Sequence, residues 1–545
     1  MASLNRRGFL SAAAATGGLA ATQLVPGTAF AGEALTQPVR PAADPGALGA
    51  ATVYPGDPRY ADLVRGGNLR FVGKPDYVRV VTSVDQVVDA VQQAVRTGRK
   101  VAVRSGGHCY ENFVADPAVG VVIDMSELNG VHFDPGRRAF AVEAGATLGD
   151  TYRRLFKGWG VTIPAGNCPT VGAGGHILGG GYGTLSRQFG LVVDHLYAVE
   201  VVVVDPDGRA RLVVATREPG DPNRELWWAH AGGGGGNFGV VTKYWLRSPG
   251  ATGADPAGLL PKPPSSLIVS SAQWSWGDLD EPAFTRIVKN FSQWYERNSA
   301  PDSVYTHLTS QLKLLHRSAG SVGITTQIDN TLPNAEKLLN DYYSALTDGI
   351  EAKLTITEQR VLPWWHASLW NGFNGGDSPL TQRYKAKSGY LRKCYSDERI
   401  HRLYQGLNDM TYKNPATLAM LVGYGGRINA VGAADTAVST RSSVLKFQYA
   451  TFWLNEADDA TNIDWLRRFY RDVHSDTGGV PVVDEQTDGA FINYVDVDLA
   501  DPKWNTSGVP WSTLYYGDNY PRLQKVKQRW DSRNVFNHAM SVRLP

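Results

Sequence analysis

Short apolar runs and amphipathic stretches alternate along the chain, and they fall into two textures. In the first half, apolar runs at 78–81, 101–104, 119–123 and 139–142 predict strands, the second of them buried. Ser83-Val84-Asp85-Gln86 has capping-box spacing and opens a helix running to about Thr97; another helix begins near Thr147. Runs at 199–204 and 210–214 flank Asp205-Pro206-Asp207-Gly208 and predict a hairpin, and 240–246 closes the region. After a Gly/Pro/Ala-rich stretch at 250–264, runs at 267–276, 304–314, 321–328, 354–360, 416–424 and 444–453 predict one larger, mostly antiparallel sheet. Phe284, Ile287, Val288, Phe291 and Trp294 share one helical face, Ile463, Leu466, Phe469 and Val473 another, and a last helix spans 521–530. This mixture predicts an α+β chain in two domains, 57–250 and 251–484, with a segment at 485–545 returning to the first.

Composition narrows the function. Lys+Arg number 54 against 52 Asp+Glu in 545 residues, a net charge of +2 with no polybasic run, which argues against a nucleic-acid partner. Three cysteines cannot staple a fold this large. None of the 11 histidines forms H-E-x-x-H, so zinc hydrolysis is disfavoured and no metal site is expected. At the start, Asn5-Arg6-Arg7-Gly8-Phe9-Leu10, a weakly apolar Ala/Gly stretch and Ala29-Phe30-Ala31 follow in the order of a twin-arginine signal and its cleavage site. Residues 1–31 are therefore expected to direct export, 32–56 to form a mobile lead-in, and the mature chain to be secreted without a membrane span.

The 59 glycines are clustered. Arg104-Ser105-Gly106-Gly107-His108 follows a predicted strand, and its N–H groups can form a nest for a pyrophosphate. Cys168-Pro169-Thr170-Val171-Gly172-Ala173-Gly174-Gly175-His176 continues to Gly179-Gly180-Gly181-Tyr182-Gly183, too rich in glycine to expect a good helix or strand. A Rossmann reading of Gly172-x-Gly174 fails, because no strand runs into it and no acidic residue follows about 20 positions later. Either loop alone reads as a tight turn. A histidine ending one and a cysteine opening the other make the pair informative.

With Leu226-Trp227-Trp228-Ala229, the glycine run 232–239 leading into Val240-Val241-Thr242, Asn493-Tyr494-x-Asp496 and the closing blocks at 515–523 and 534–536, these loops resemble the berberine-bridge-enzyme-like FAD-linked oxidases of the vanillyl-alcohol-oxidase fold. The resemblance covers about Pro75 to Phe536 and is nearest to the bicovalent bacterial branch, whose members oxidise aclacinomycin or free oligosaccharides. It implies a PCMH-type FAD-binding domain plus a substrate domain with a large antiparallel sheet covered by helices. It implies FAD bonded through His108 to the 8α-methyl and through Cys168 to C6. Further cofactor contacts are implied at Arg104, Ser105, Gly106, Gly107, Thr170, Val171, Gly172, Gly174, Gly175, His176, Gly179, Gly180, Gly183, Val240, Val241, Asn493 and Asn534. Read without the resemblance, His108 is a core histidine and Cys168 a buried thiol. Cys109 and Cys394 read as small core residues, or as a disulfide formed after export.

Oxidising an alcohol needs a base for the hydroxyl proton while the carbon-bound hydrogen leaves as hydride to flavin N5. The resemblance implies Tyr494 as that base; a free phenol has a pKa of about 10, so a positive neighbour or hydrogen bonds are expected to lower it. Tyr424 is the candidate second catalytic tyrosine, with Tyr449, Tyr395 or plain sheet packing as alternatives. Trp364, Trp365, Trp370 and Phe373, near Asn371, Asn374 and Gly375-Gly376, offer a stacking surface for a sugar or flat aglycone, or a plain core. Two departures stand out: Ala231 replaces an arginine common in the family, and Phe491 a tyrosine, which weakens any transfer of oligosaccharide contacts. The expected activity is oxidation of a sugar hydroxyl on a glycosylated natural product, in one step or two, with oxygen reduced to hydrogen peroxide. The rivals are an oligosaccharide oxidase forming a lactone and a non-catalytic flavin- or sugar-binding protein.

Overall fold

Sixteen strands in three sheets organise the described residues, 51–374 and 382–545, of the computed structural model. The signal-like start and Gly375-Gly376 lie outside them. Strands β1 (Ala51–Val53), β2 (Tyr77–Val80), β3 (Lys100–Arg104) and β4 (Val119–Asp124) form a sheet of order β1-β2-β4-β3, parallel except for β1. β3 was expected to be buried, but it is an edge strand and only Val101 is fully covered. β5 (Val131–Asp134), β6 (Ala139–Glu143), β7 (Leu196–Val204), β8 (Ala210–Thr216) and β9 (Val240–Leu246) form an antiparallel sheet of order β5-β6-β9-β7-β8.

The third sheet is wholly antiparallel, in the order β13-β10-β12-β11-β15-β16-β14. Its strands are β10 (Ser266–Ser275), β11 (Leu308–Leu315), β12 (Ser321–Asp329), β13 (Thr355–Pro363), β14 (Arg383–Leu391), β15 (Thr417–Gly423) and β16 (Leu445–Trp453). The run expected from 304 begins as a short 3-10 turn, Val304–His307, because the Ser303 side chain accepts the Tyr305 N–H and caps it. β14 was not expected at all: Arg-Tyr-Lys-Ala-Lys reads as polar, yet Lys385 and Lys387 are buried.

Helices form where caps and apolar stripes coincide. Val84–Arg96 starts at Ser83, whose Oγ accepts the Gln86 N–H, while Gln86 Oε1 accepts the Thr82 N–H, one residue earlier than an ideal box. Glu281–Arg297 is capped by Asp280, worth about 1 kcal/mol, and buries Phe284, Ile287, Val288, Phe291 and Trp294. On Asp459–Val473, Leu466, Phe469 and Val473 are buried but Ile463 is only partly covered; Trp465 takes the inner position, stacked on Tyr412 at 4.3 Å.

These two helices cover one face of the third sheet together with Ala335–Thr347 and Asp397–Leu407; Tyr343 bonds Ser270 and Tyr470 bonds the Ser388 carbonyl there. The opposite face looks toward the glycine-rich loops: Thr309 donates to the Thr184 carbonyl and Tyr182 to that of Gly423. The C-terminal helix Tyr520–Trp530 returns to the glycine run near 235, where the buried Lys527 ammonium donates to Asn237, Phe536 and Asp531. Among the described residues no helix is long and apolar enough to cross a membrane.

Candidate active site

The first glycine loop leaves β3 at Arg104, whose guanidinium pairs with the buried Asp124 and donates to the Leu63 and Arg65 carbonyls, which anchors the base of the loop. Ser105 donates to the Ala144 carbonyl. Gly106 lies back to back with Gly172, where a Cβ would stand 2.2 Å from the Gly172 nitrogen, so no side chain fits at this contact between the two loops. Among the described residues the N–H groups of Gly106, Gly107 and His108 find no protein acceptor. Main-chain donors left open in a turn that allows close approach are what an anionic phosphate needs.

The second loop brings the tether candidates together. Thr170 Oγ1 is 3.0 Å from His108 Nε2 and 3.4 Å from Cys168 Sγ, so one hydroxyl touches both side chains across 62 residues of sequence. Burial holds His108 below the ordinary histidine pKa, which keeps the imidazole neutral and nucleophilic. The glycine run was not expected to form regular structure, but Ala173–Leu178 is a short helix. Tertiary hydrogen bonds at its start compensate for the weak propensity: Ala173 and Gly174 donate to the Ala146 and Ala144 carbonyls. His176 Nε2 accepts the Gly166 N–H, and burial, with Lys446 nearby, lowers its pKa to about 3. Gly175 meets nothing within 4 Å of its Cβ position and stays open, whereas a Cβ on Gly183 would overlap the Ala165 carbonyl. Gly180 has a φ of +105°. Val171 accepts the Leu148 N–H on its carbonyl, and Val240 and Val241 are buried at the start of β9.

Asn493 docks the Tyr494 turn on this helix, donating to the His176 carbonyl at 3.0 Å while its side chain fills the space a Gly179 Cβ would need. Tyr494 then stacks on Tyr110 (5.1 Å, 6° between planes) and meets Phe491 edge-on at 5.0 Å. Tyr110 lies two residues beyond His108, and the Gln448 amide approaches its hydroxyl at 3.4 Å. Lys446, on β16, points its ammonium over three rings: Tyr182 at 4.2 Å, Phe491 at 4.4 Å and Tyr494 at 4.6 Å. It is 2 % exposed and has no carboxylate partner among the described residues. Burial lowers its pKa to about 7, while burial and the Cys168 thiol push Tyr494 up to about 12. Lys446 is a positive neighbour of the ring, but the Tyr494 pKa is raised and not lowered as expected, because burial dominates and Lys446 is itself at the edge of losing its charge.

Beneath this cluster lies a buried ion lattice. Lys385 bridges Glu111 at 2.5 Å and Asp496 at 2.7 Å; Lys387 bridges Asp496 and Asp498, each at 2.7 Å; and Arg467 pairs with Asp498 at 2.7 Å. The lattice ties the segment after His108 and the segment after Tyr494 to the same edge strand.

Two candidates fall elsewhere. Tyr424 is fully buried one ring behind the site, stacked on Tyr182 and edge-on to Tyr390, and no contact joins it to Tyr494; its glycine neighbours admit Tyr295 and Ser299, not a ligand. The tyrosines beside Tyr494 and Lys446 are Tyr110 and Tyr182. The alternatives Tyr395 and Tyr449 pair with each other under the helices, on the far face of the sheet. Asn534 sits exposed at a turn with a φ of +52°, a conformation asparagine tolerates, and serves that turn; His538 reaches the glycine run instead, bonded to the Gly235 carbonyl. Cys109 and Cys394 are free thiols, so they do not form the alternative disulfide. Among the described residues no group of side chains is arranged to hold a metal.

Comparison with known proteins agrees with this geometry. Residues 75–213 match the FAD binding domain family, and residues 490–543 the family described as berberine and berberine like. The chain is 53 % identical to the aclacinomycin-N/aclacinomycin-A oxidase of Streptomyces galilaeus over 99 % of this chain and 98 % of that one. Among solved structures it resembles a flavoenzyme of shunt product recycling in caerulomycin biosynthesis (TM-score 0.89, 50 % identity, 91 % of this chain and 100 % of that one). It also resembles a glycopeptide hexose oxidase complexed with teicoplanin (TM-score 0.87, 50 % identity, 91 % and 99 %). The two glycine loops, the tyrosine turn and the C-terminal return thus have a common explanation: the chain belongs to the berberine-bridge-enzyme-like family of FAD-dependent oxidases.

Proposed function

We propose that the protein oxidises a hydroxyl of the sugar on a glycosylated natural product, using FAD tethered through His108 and Cys168 and oxygen as the final acceptor. The observation that carries this reading is the meeting of His108 and Cys168 at one threonine hydroxyl beside the Tyr494–Lys446 cluster. Similarity to an oxidase of aclacinomycins and to a glycopeptide hexose oxidase complexed with teicoplanin supports the glycoside class. The open N–H groups of Gly106, Gly107 and His108 suit the pyrophosphate. When bound, FAD supplies the two-electron acceptor for the hydrogen on the alcohol carbon, and oxygen is reduced to hydrogen peroxide as FAD is restored.

The protein's own part is the proton. Lys446 lies over the face of the Tyr494 ring, and burial lets its ammonium lose a proton near 7. Above that value Lys446 is a neutral amine beside the phenol, so the site holds a group able to accept the hydroxyl proton of the sugar. Stacking on Tyr110 and the Asn493 bond fix the phenol's plane, so the base is oriented before the substrate arrives. The twin-arginine start supports export with the cofactor already in place.

The test is anaerobic mixing of the yellow protein with aclacinomycin A, cellobiose or maltose, followed by admission of oxygen. Bleaching of the flavin by the glycoside, with peroxide formed on reoxidation, is expected. Bleaching by the free disaccharides but not by the glycoside would favour lactone formation, and no bleaching by any of them would remove the oxidase reading of the site.

A further inference from the structure

One face of the third sheet carries polar groups that the proton transfer does not use. Gln448 on β16, Met420 on β15, Lys313 on β11 and Gly323 on β12 are register partners, so their positions form a single row straight across four strands. At about 4.8 Å per strand the row is about 15 Å long. One end is Gln448, which reaches Tyr110 and through it the catalytic turn. At the other, a Cβ on Gly323 would meet only that of Lys313, at 3.9 Å, so the floor there is open.

Lys313 donates to the Gly372 carbonyl at 2.6 Å and has no carboxylate partner among the described residues, which leaves two of its three donors free. Burial lowers its pKa to about 8. In the adjoining row Gln311 and Thr325 are cross-strand partners on the same face. Thr325 is only 6 % exposed and its hydroxyl has no hydrogen-bond partner. The nearby Glu358 carboxylate is engaged by Arg360 and Trp370. On the opposite face, Lys385 and Lys387 each have their carboxylates; Lys313 has a carbonyl and open donors instead.

We propose that this row seats the aglycone of the substrate, and that Lys313, aided by Gln311 and Thr325, binds an anionic oxygen on it, a carboxylate or an ionised phenol. Met420 supplies the polarisable surface on which a flat ring system lies. The inference rests on the glycoside-oxidase reading and narrows it to glycosides with an acidic, planar aglycone.

The experiment is calorimetric titration of the holoenzyme with 2-naphthoate and with the neutral, nearly isosteric 2-naphthamide. A preference for naphthoate of about tenfold is expected, kept in Lys313→Arg and reduced to within about twofold in Lys313→Met. Retained flavin absorbance reports that the variants are folded. Should Lys313→Met fail to fold, Thr325→Val serves, with a loss of about two- to threefold for naphthoate alone. Equal affinity for the two probes, no binding of either, or a preference that survives in Lys313→Met overturns the proposal. A naphthoate preference in a protein that no glycoside bleaches would overturn the oxidase reading alone; glycoside bleaching without the preference would overturn this inference alone.

Discussion

Lys385 and Lys446 lie on neighbouring strands of one sheet and are equally buried, each 2 % exposed, yet they are in opposite electrostatic states. Burial disfavours the charge of both. For Lys385, Asp496 and Glu111 overcome it and hold the ammonium above the ordinary lysine pKa. For Lys446 no carboxylate among the described residues overcomes it, and its ammonium faces three aromatic rings instead. The first lysine is a fixed positive charge that joins two loops to an edge strand. The second can give up its proton near neutrality, beside the phenol that needs one removed. The difference lies in the partners, since residue type and depth are the same.

The comparison matters only if Tyr494 is the group that Lys446 serves, and the largest effect tests that. Tyr494→Phe should slow anaerobic flavin reduction by about 10²–10⁴-fold while leaving the flavin absorbance intact; near-normal reduction would remove Tyr494 from the chemistry. Next in size is the contrast in stability. Lys385→Met strands Glu111 and shares Asp496 with Lys387 alone, and should cost about 3–5 kcal/mol of stability in denaturant titration. Lys446→Met removes an unpaired buried amine and should leave stability unchanged or raised. Because Lys446 titrates near 7 when folded and near 10.5 when unfolded, the unfolded chain binds the extra proton between those values. Stability therefore rises with pH across that window in the parent and not through this group in the variant. Equal losses in the two variants would break the comparison.

The smallest effect is the pH profile. The competent site has a neutral Lys446, so the rate of flavin reduction should climb about fivefold from pH 6 to 7 and about twofold more before it levels off. In Lys446→Met this limb should vanish, with a lower and flatter rate. An unchanged limb in the variant would assign it to another group.

Much of this arrangement is legible in the residue order, and the parts that are not share a cause. The two glycine loops stand out because glycine is needed where backbones touch, as at Gly106 and Gly172, and the histidine and cysteine at their ends mark them further. Strands with apolar alternation are legible for the same local reason. β14 is not, because Lys385 and Lys387 become acceptable in a core only through carboxylates at 111, 496 and 498. The helix at Ala173–Leu178 is hidden because carbonyls of the distant Ala144 and Ala146 hold its first turn. Lys446 carries no local mark at all: its role comes from rings at 182, 491 and 494. Tyr424 and Asn534 are harder to read, because a tyrosine near glycines and an asparagine near a terminal motif are equally good at plain structural work, and they sit in a ring stack and at a turn. The motif tyrosine at 494 is readable; the lysine above it requires the tertiary structure.

The account depends most on His108 and Cys168 holding one flavin between them. Acid precipitation of the purified yellow protein, protease digestion and the mass of the flavin-bearing material test this directly. The account predicts a single flavin joining the peptides that contain His108 and Cys168. Flavin released into the supernatant, or attached to neither peptide, would contradict it.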